Sequence, residues 1–186
     1  KPKEEQEIKQ GFPWVFDNEI FSIQGEVSDG NLVDVFTKAG MYLGSGIINQ
    51  KSKIAIRFLT NDRQLAQKGI SAFDENFFKE KILNALAIRF QYYKKEDSYR
   101  LIFAEADFLP GLIVERYVDT KKRVFLVVQF LSLAVEIFRD KIIKVLTEVC
   151  SPFGIYERSD VSVREKEGLE QKSGWIGAEH IPQITI

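Results

Sequence analysis

The sequence predicts an α+β protein built from a small β-barrel, a connecting helix and a β-β-β-α-β sandwich. Over roughly the first seventy residues, short apolar or alternating segments follow one another with turns between them, which favours a small barrel or sandwich. One amphipathic helical segment comes next. The rest of the chain then has the pattern strand, strand, strand, helix, strand, which is typical of a sheet with a helix on one face. A chain of 186 residues is long enough for one large domain or two small ones. The predicted units are a barrel at 1–70, a connecting helix at 71–98, a central α/β domain at 99–172 and a tail at 173–186.

Four strands are predicted in the barrel, at residues 20–24, 32–36, 41–49 and 54–59. The polar residues 61–71 then form the predicted domain boundary. Gly44-Ser45-Gly46 lies inside the third strand, and no helical pattern follows it. Because a dinucleotide or SAM cradle requires a glycine turn that opens a helix, we interpret these glycines as a bend in a barrel strand.

The connecting helix is predicted to begin at Asp74, a residue type that commonly caps helix N-termini. Apolar residues follow it at a spacing of 3.6, and Arg89 falls on the same stripe. Arginine is seldom buried without a partner, so we expect its stem to pack while its guanidinium reaches a carboxylate. The alternative makes Arg89 a ligand for a phosphate or for a neighbouring domain.

The central domain is predicted to contain strands at 100–105, 112–118, 124–130 and 154–158. The third of these is almost unbroken in its apolar character, which indicates a strand buried on both faces. A single helix is predicted to follow it, with Ser132 as N-cap and an i,i+4 ion pair between Asp140 and Lys144. The tail shows no core of its own.

The composition excludes several classes of protein. Hydrophobic residues make up 45% and charged residues 28%, which argues against wholesale disorder. No apolar run approaches the ~18 residues that cross a bilayer, so we expect no membrane partner. One Cys and one His exclude a disulfide framework and a multi-thiolate zinc site, so we expect no metal and a cytoplasmic location. Since 26 Lys and Arg are balanced by 27 Asp and Glu, any nucleic-acid contact must rest on a local patch.

Such a patch is predicted around Lys51-Ser52-Lys53, a basic turn between two barrel strands. The surrounding residues 35–61 contain no acidic side chain. Cations, hydroxyls and backbone N–H groups in turns are the groups that contact phosphates. Trp14 offers a surface on which a base can stack, although this ring can equally pack the barrel shut. The predicted RNA-binding set is Lys9, Trp14, Lys38, Lys51, Ser52, Lys53 and Arg57.

A second candidate site is the turn Glu105-Ala106-Asp107-Phe108-Leu109-Pro110-Gly111. Its carboxylates fit a general acid/base pair or a metal site, or else a rigid turn whose carboxylates pair with Arg158 and Arg164. No third carboxylate or His stands in register, so we favour the turn. Cys150 ends the second helix, the wrong end for lowering a thiol pKa, and is predicted to be a core residue. His180 is predicted to be a surface or interface residue.

Four segments, in this order and at these spacings, together resemble one protein family. They are residues 11–16 (Gly-Phe-Pro-Trp-Val-Phe), 52–57 (Ser-Lys-Ile-Ala-Ile-Arg), 105–112 (Glu-Ala-Asp-Phe-Leu-Pro-Gly-Leu) and 157–160 (Glu-Arg-Ser-Asp). With them the chain resembles the N-terminal half of the SAM-dependent large-subunit ribosomal RNA cytosine-C5 methyltransferases that begin with a PUA domain. Phe12 stands where the family usually has His, so no role is carried over to that position.

The resemblance implies that the barrel is a PUA-like RNA-binding domain and that the RNA is large-subunit ribosomal RNA. The family's Rossmann-like methyltransferase domain would follow where this sequence stops, so residues 173–186 are implied to be the start of the linker to it. SAM, the cofactor of the full-length parent, and the catalytic Cys are therefore implied to belong to that missing C-terminal domain, with no catalytic or cofactor-binding residue in this segment. The central domain is implied either to position the catalytic domain or to build a homodimer.

Our leading hypothesis is an RNA-binding segment of an RNA methyltransferase that is inactive by itself. In this hypothesis an inter-domain or structural set organises the contact between domains: Arg89, Glu105, Asp107, Pro110, Gly111, Arg158, Asp160 and Arg164. The alternatives are a free-standing RNA-binding PUA protein and a protein-interaction or dimerisation module without an RNA role. A small hydrolase using Glu105 and Asp107 ranks last, because no nucleophile, metal cluster or cofactor loop accompanies these carboxylates.

Overall fold

The computed structural model describes residues 2–177, with side chains from residue 5 onward, and His180 lies outside this range. Its first unit is a curled antiparallel sheet with the strand order β1-β4-β3-β2. The elements are helix α1 (Pro2–Lys9) and strands β1 (Trp14–Val15), β2 (Leu32–Phe36), β3 (Tyr42–Ile48) and β4 (Ile56–Thr60). The predicted strand at 20–24 is wrong, because these residues form no strand and a 3-10 turn precedes them. The sheet is an open half-barrel in which the two-residue β1 takes the edge beside β4.

The glycines of β3 are explained by how closely the neighbouring strand approaches. The pairing of β3 with β4 shifts register between Ser45 and Gly46, a bulge of the kind that bends a strand. A Cβ at Gly46 would lie 2.2 Å from the backbone oxygen of Arg57, so no other residue fits there. The interpretation of Gly44-Ser45-Gly46 as a bend in a barrel strand is confirmed.

Two helices connect the sheets: α2 (Arg63–Ala66) and α3 (Glu75–Arg89). Asp74 caps α3, since its carboxylate accepts a hydrogen bond from the backbone N–H of Phe77 at 3.0 Å. The predicted N-cap is therefore confirmed. The polar stretch at 61–71 contains α2 and the start of a 3-10 turn.

The second sheet has the order β5-β6-β7-β8-β9, and all neighbouring strands are antiparallel except the parallel pair β7–β8. A parallel pair requires a crossover connection, which two helices supply. The strands are β5 (Tyr99–Phe103), β6 (Leu112–Val118), β7 (Val124–Phe130), β8 (Gly154–Ser159) and β9 (Lys172–Ile176), and the remaining helices are α4 (Leu133–Glu136), α5 (Arg139–Cys150) and α6 (Val163–Lys166).

The single helix predicted after β7 is wrong in three respects. It is divided into α4 and α5 at Phe138, which packs against Phe78 with ring centroids 5.1 Å apart. The Ser132 hydroxyl makes no cap and instead donates to the backbone oxygen of Pro110, in the turn before β6. Lys144 pairs with Glu75 of α3 rather than with Asp140, because α3 and α5 pack side by side.

The two sheets share one hydrophobic core. Ile47 and Leu59 of the first sheet belong to the same buried cluster as Phe78 of α3 and Leu101 of β5. A smaller cluster around Val15 lies within the first sheet. Between residues 2 and 177, no helix is both long and apolar enough to span a bilayer.

Candidate nucleic-acid interface

The turn between β3 and β4 presents two lysines to solvent and buries the residues between and before them. Lys51 and Lys53 are exposed, whereas Ser52 is 5% exposed and Asn49 is 3% exposed. The turn is held internally, since the Asn49 side-chain oxygen accepts from the Lys51 N–H at 3.2 Å and the Ser52 hydroxyl accepts from the Ile54 N–H at 3.1 Å. The ammonium groups therefore stand on a turn with a defined backbone.

A single carboxylate, Glu167, clamps this turn to the second half of the molecule. Its Oε1 accepts hydrogen bonds from the Ser52 hydroxyl at 2.6 Å and from Arg57 Nη2 at 2.8 Å. The Asn49 side-chain amide donates to Glu167 twice, to the backbone oxygen at 2.9 Å and to Oε2 at 3.1 Å. Glu167 is only 4% exposed, so the ion pair with Arg57 is buried.

These contacts correct two members of the predicted RNA-binding set. Ser52 and Arg57 direct their polar atoms at Glu167, and Arg57 is 7% exposed. Neither can reach a phosphate without breaking the clamp, so we remove both from the proposed contact set. Lys51 and Lys53 remain.

Sequence reasoning missed Glu167, which lies in the charged run Arg164-Glu165-Lys166-Glu167. The following Gly168 has φ +69°, and a glycine after such a run is a recognisable signal for the end of a helix. That signal predicts α6 but does not distinguish the buried glutamate from its exposed neighbour.

Trp14 is half-buried and its polar atom is already used. The indole N–H donates to Glu105 Oε1 at 2.9 Å, and Arg57 Nη1 lies 3.5 Å from the same oxygen. The ring also meets Phe12 edge-on, with centroids 5.4 Å apart. The packing alternative describes Trp14 better than a free stacking surface does, and Phe12 is the more exposed ring.

The acid-free stretch does not form one surface. Lys38 lies in the turn between β2 and β3, whereas Lys51 lies beyond the other end of β3, about 20 Å away along a seven-residue strand. The Lys38 ammonium sits 4.7 Å from the centroid of the Phe21 ring. Lys9 is exposed at the end of α1. Lys38 and Lys51 therefore lie far apart in the structure, although they share one acid-free stretch of the sequence.

The Glu105–Gly111 segment is a rigid turn, as the favoured interpretation predicts. The Asp107 carboxylate accepts hydrogen bonds from both terminal nitrogens of Arg89, at 2.6 and 2.5 Å. It also accepts one from the backbone N–H of Phe103, at 2.6 Å. The predicted reach of Arg89 to a carboxylate is therefore confirmed. Gly111 has φ +86°, and a Cβ there would lie 2.4 Å from the hydroxyl oxygen of Ser132, which donates to the Pro110 oxygen.

The predicted partners of these carboxylates are wrong, because neither Arg158 nor Arg164 reaches Glu105 or Asp107. Arg164 is fully buried and donates to Glu136 at 2.8 Å, to the backbone oxygen of Glu170 at 2.6 Å and to that of Phe130. The side chain of Arg158 is 66% exposed, and its nearest carboxylate is that of Asp160 at 3.9 Å. Arg164 thus stabilises the second half internally, while Arg158 and Asp160 stay at the surface.

The described residues group no metal ligands, and the Gly44-Ser45-Gly46 segment forms no cradle for SAM. Within residues 2–177 no three His, Cys, Asp or Glu side chains are grouped as metal ligands. Gly44-Ser45-Gly46 does not fit SAM, because the space a cofactor would need beside Gly46 holds the backbone of Arg57 and no helix begins there.

Cys150 is expected to react slowly with alkylating reagents. Burial raises the pKa of its thiol to about 11, against an ordinary value of 9.0. Because the thiolate is the nucleophile, iodoacetamide at pH 8 should modify the folded protein about a hundredfold more slowly than the urea-unfolded protein. A mass-spectrometric time course measures both rates. Equal rates would show that the thiol is accessible and unperturbed.

Comparison with known proteins identifies relatives over the whole chain. Residues 1–61 match a family described as a PUA-like domain. The chain is 35% identical over 181 residues to a ribosomal RNA large subunit methyltransferase I of Aliivibrio fischeri strain MJ11, which covers 96% of this chain and 43% of the relative. It is 34% identical over 188 residues to a protein of the same name from Alteromonas mediterranea. That alignment covers 100% of this chain and 45% of the relative. The chain thus spans less than half the length of these homologues. The implied PUA-like domain is confirmed, whereas the cytosine-C5 specificity stays a prediction.

Solved structures share the fold. A candidate SAM-dependent methyltransferase from Streptococcus mutans superposes with a TM-score of 0.72 at 18% identity, covering 98% of this chain and 43% of that one. A second candidate methyltransferase, solved with SAH bound, superposes with a TM-score of 0.71 at 18% identity. This match covers 97% of this chain and 42% of that one. At this identity the likeness concerns the fold alone.

Proposed function

We propose that this chain is the RNA-binding and positioning part of a SAM-dependent methyltransferase that modifies a cytosine C5 position of large-subunit ribosomal RNA. SAM binding and catalysis would then reside in the part of the relatives that this chain does not span. The relatives' names supply the class of reaction, and the PUA-like domain supports RNA as the partner. A homodimer and a cytoplasmic location stay predictions.

The observation that carries the proposal is the presentation of Lys51 and Lys53. Their turn has its inner residues bound to Glu167, so the backbone that carries the two outward lysines is already ordered before they meet phosphates. The Lys51 stem lies across Gly168, whose missing side chain leaves room for it, since a Cβ there would lie 2.4 Å from Lys51 Cδ. Lys9 and Lys38 are exposed and are proposed as secondary contacts at other points of the surface.

The inter-domain set has a graded role in this proposal. Glu105 contacts Trp14 and Arg57 of the first sheet, so it is the member that joins the two halves. Asp107 with Arg89, and the Pro110-Gly111 bend, stiffen the turn that carries Glu105. The surface residues Arg158 and Asp160 are left as candidates for contact with the rest of the parent protein.

Reversing the charge of both turn lysines, Lys51→Glu with Lys53→Glu, should weaken binding to structured ribosomal RNA fragments by about tenfold or more near 0.1 M salt. Each lost phosphate contact should also reduce the slope of log affinity against log salt by about 1, so the slope should fall by about 2. Fluorescence anisotropy titrations at several salt concentrations measure both quantities.

The matched control is Lys121→Glu with Lys122→Glu, an exposed pair in the turn between β6 and β7. It changes the net charge by the same amount at a different surface. Equal losses in both double variants would attribute the effect to overall charge and contradict the proposed contact. Absence of RNA binding by the unmodified chain at low salt, together with a tight dimer, would favour an interaction module instead.

A further inference from the structure

A cleft of about 330 Å³ opens at the end of β4 that lies away from the basic turn. It lies where the end of β4, helices α2 and α3, and the Glu105–Gly111 turn meet, so both halves of the molecule contribute to it. Clefts between structural units are common ligand sites. The residues that matter for its chemistry are Asp62, Phe77, Glu80, Lys81, Asn84 and Phe108.

Lys81 is the unusual group in this cleft. Its ammonium lies 4.8 Å from the ring centroid of Phe77 and 5.5 Å from that of Phe108. It makes no hydrogen bond or ion pair with any other described residue. Burial lowers the pKa of this ammonium. Its donors have no acceptor among the described residues, so they are available to a ligand that enters the cleft.

Phe108 forms one wall of the cleft in an unfavourable backbone conformation. Its φ is +57°, in the left-handed region, and the residue is 72% exposed. Phenylalanine does not favour this φ, and the exposed ring gains little from burial, so neither accounts for a Phe at this position. The neighbouring Asp107 and Leu109 are buried, so the turn is fixed on both sides and the ring is held outward.

The charges of the cleft favour a neutral ligand over a phosphate. Asp62 and Glu80 line the cleft together with Lys81, which is the single cation among the lining residues, and their negative charges would repel a phosphate there. An aromatic face, an ammonium donor and an Asn84 amide that can donate and accept are instead the groups that recognise an exposed nucleobase.

We propose that this cleft binds one unpaired RNA base, stacked on Phe108, with the Lys81 ammonium donating to an acceptor on the base edge. This site deepens the proposed function, on which it rests, by adding single-strand recognition to the phosphate contacts at Lys51 and Lys53. The two sites lie at opposite ends of β4, so each is tested independently of the other.

The test compares the unmodified chain with Phe108→Gly and Lys81→Met, using a single-stranded oligoribonucleotide of ten residues. Glycine accepts the left-handed φ and methionine keeps the length and apolar character of the lysine stem, so both variants should fold. Stacking on one aromatic ring is a substantial part of single-strand affinity, so Phe108→Gly should weaken binding about tenfold. Lys81→Met should weaken it about threefold or more without changing the salt slope, because a base contact releases no counterion.

A second probe is a ten-residue oligomer of the same ribose-phosphate backbone without bases. The unmodified chain should bind it about as weakly as Phe108→Gly binds the complete oligonucleotide, and Phe108→Gly should cause no further loss with it. A salt slope reduced by about 1 in Lys81→Met, or an equal effect of Phe108→Gly on both oligomers, would mean a phosphate contact and overturn the assignment.

Phe153→Ala and Lys121→Met are the controls, since Phe153 is 59% exposed and Lys121 is exposed, both outside the cleft. If both cleft variants bind the oligoribonucleotide with unchanged affinity, the cleft does not bind a base, and the proposed contacts at the lysine turn are unaffected. Loss in the cleft variants but not in the Lys51 and Lys53 charge reversal would sink the proposed turn contact instead. If the unmodified chain binds no RNA, both fail.

Discussion

Replacing Glu167 by Gln is expected to lower the free energy of unfolding by about 3–5 kcal/mol, because it removes the nearer and more buried counter-charge of the Arg57 guanidinium and leaves only the Glu105 carboxylate at 3.5 Å. Gln has nearly the same size, so the loss comes from charge and hydrogen bonding rather than from a cavity. An amide keeps only one acceptor oxygen, whereas the carboxylate accepts from Ser52 and Arg57 at Oε1 and from Asn49 at Oε2. Chemical denaturation followed by circular dichroism measures the change.

Glu170→Gln is the control for this change, since Glu170 is exposed three residues further along and makes no side-chain hydrogen bond with another described residue. It should alter the unfolding free energy by less than about 0.5 kcal/mol. Glu167→Gln should also weaken RNA binding, because the clamp holds the turn that carries Lys51. Equal stability of the two variants would show that the clamp contributes no net stabilisation.

Replacing Arg164 by Met is expected to cause the second large loss in the free energy of unfolding, again on the order of 3–5 kcal/mol. The guanidinium is fully buried and satisfies the Glu136 carboxylate and two backbone oxygens, those of Phe130 and Glu170. Each buried acceptor left without a donor costs about 1–3 kcal/mol. The control is Lys166→Met on the same helix, whose side chain is exposed. A loss no larger than that of the control would contradict the structural role of Arg164.

The effect of Arg164→Met should depend on pH. Burial alone would raise the pKa of Glu136, but hydrogen bonds from Arg164 and Lys172 more than offset it, so this pKa lies below its ordinary value. The stability that comes from this carboxylate is present above the unfolded-state pKa and is lost as the pH falls through the lowered folded-state pKa. The stability difference between the two proteins should therefore narrow on acidification, and a constant difference would assign the loss to the backbone oxygens alone.

Regular structure was predictable where the signal is local. The bounds predicted for β6 and β7 agree with the structure, since each reads as an apolar or alternating run between turn residues. The two-residue β1 escaped prediction because its strand character comes from pairing with β4, which lies far along the chain. The division of the last long helix at Phe138 likewise arises from packing against another helix rather than from a breaker in the sequence.

The candidate interface was predictable only in its outward half. A run without acids and with two lysines in a turn indicates a basic surface, and both lysines are exposed. The inward half depends on Glu167, which is 110 residues from Arg57. No spacing rule connects residues so distant, so Ser52 and Arg57 could not be recognised as its partners. For the same reason, sequence reasoning found the Phe108 turn but not the helix face that faces it with Lys81.

The shared core has a mechanical consequence for the described part of the chain. Swinging one sheet against the other would pull Ile47 and Leu59 away from Phe78 and would strip a buried carboxylate from its arginine, so bending at this joint is costly. The described part of the chain therefore behaves as one rigid unit rather than as two sheets that move independently. If RNA binds at the Lys51–Lys53 turn as proposed, the bound strand would therefore keep a constant orientation relative to β9.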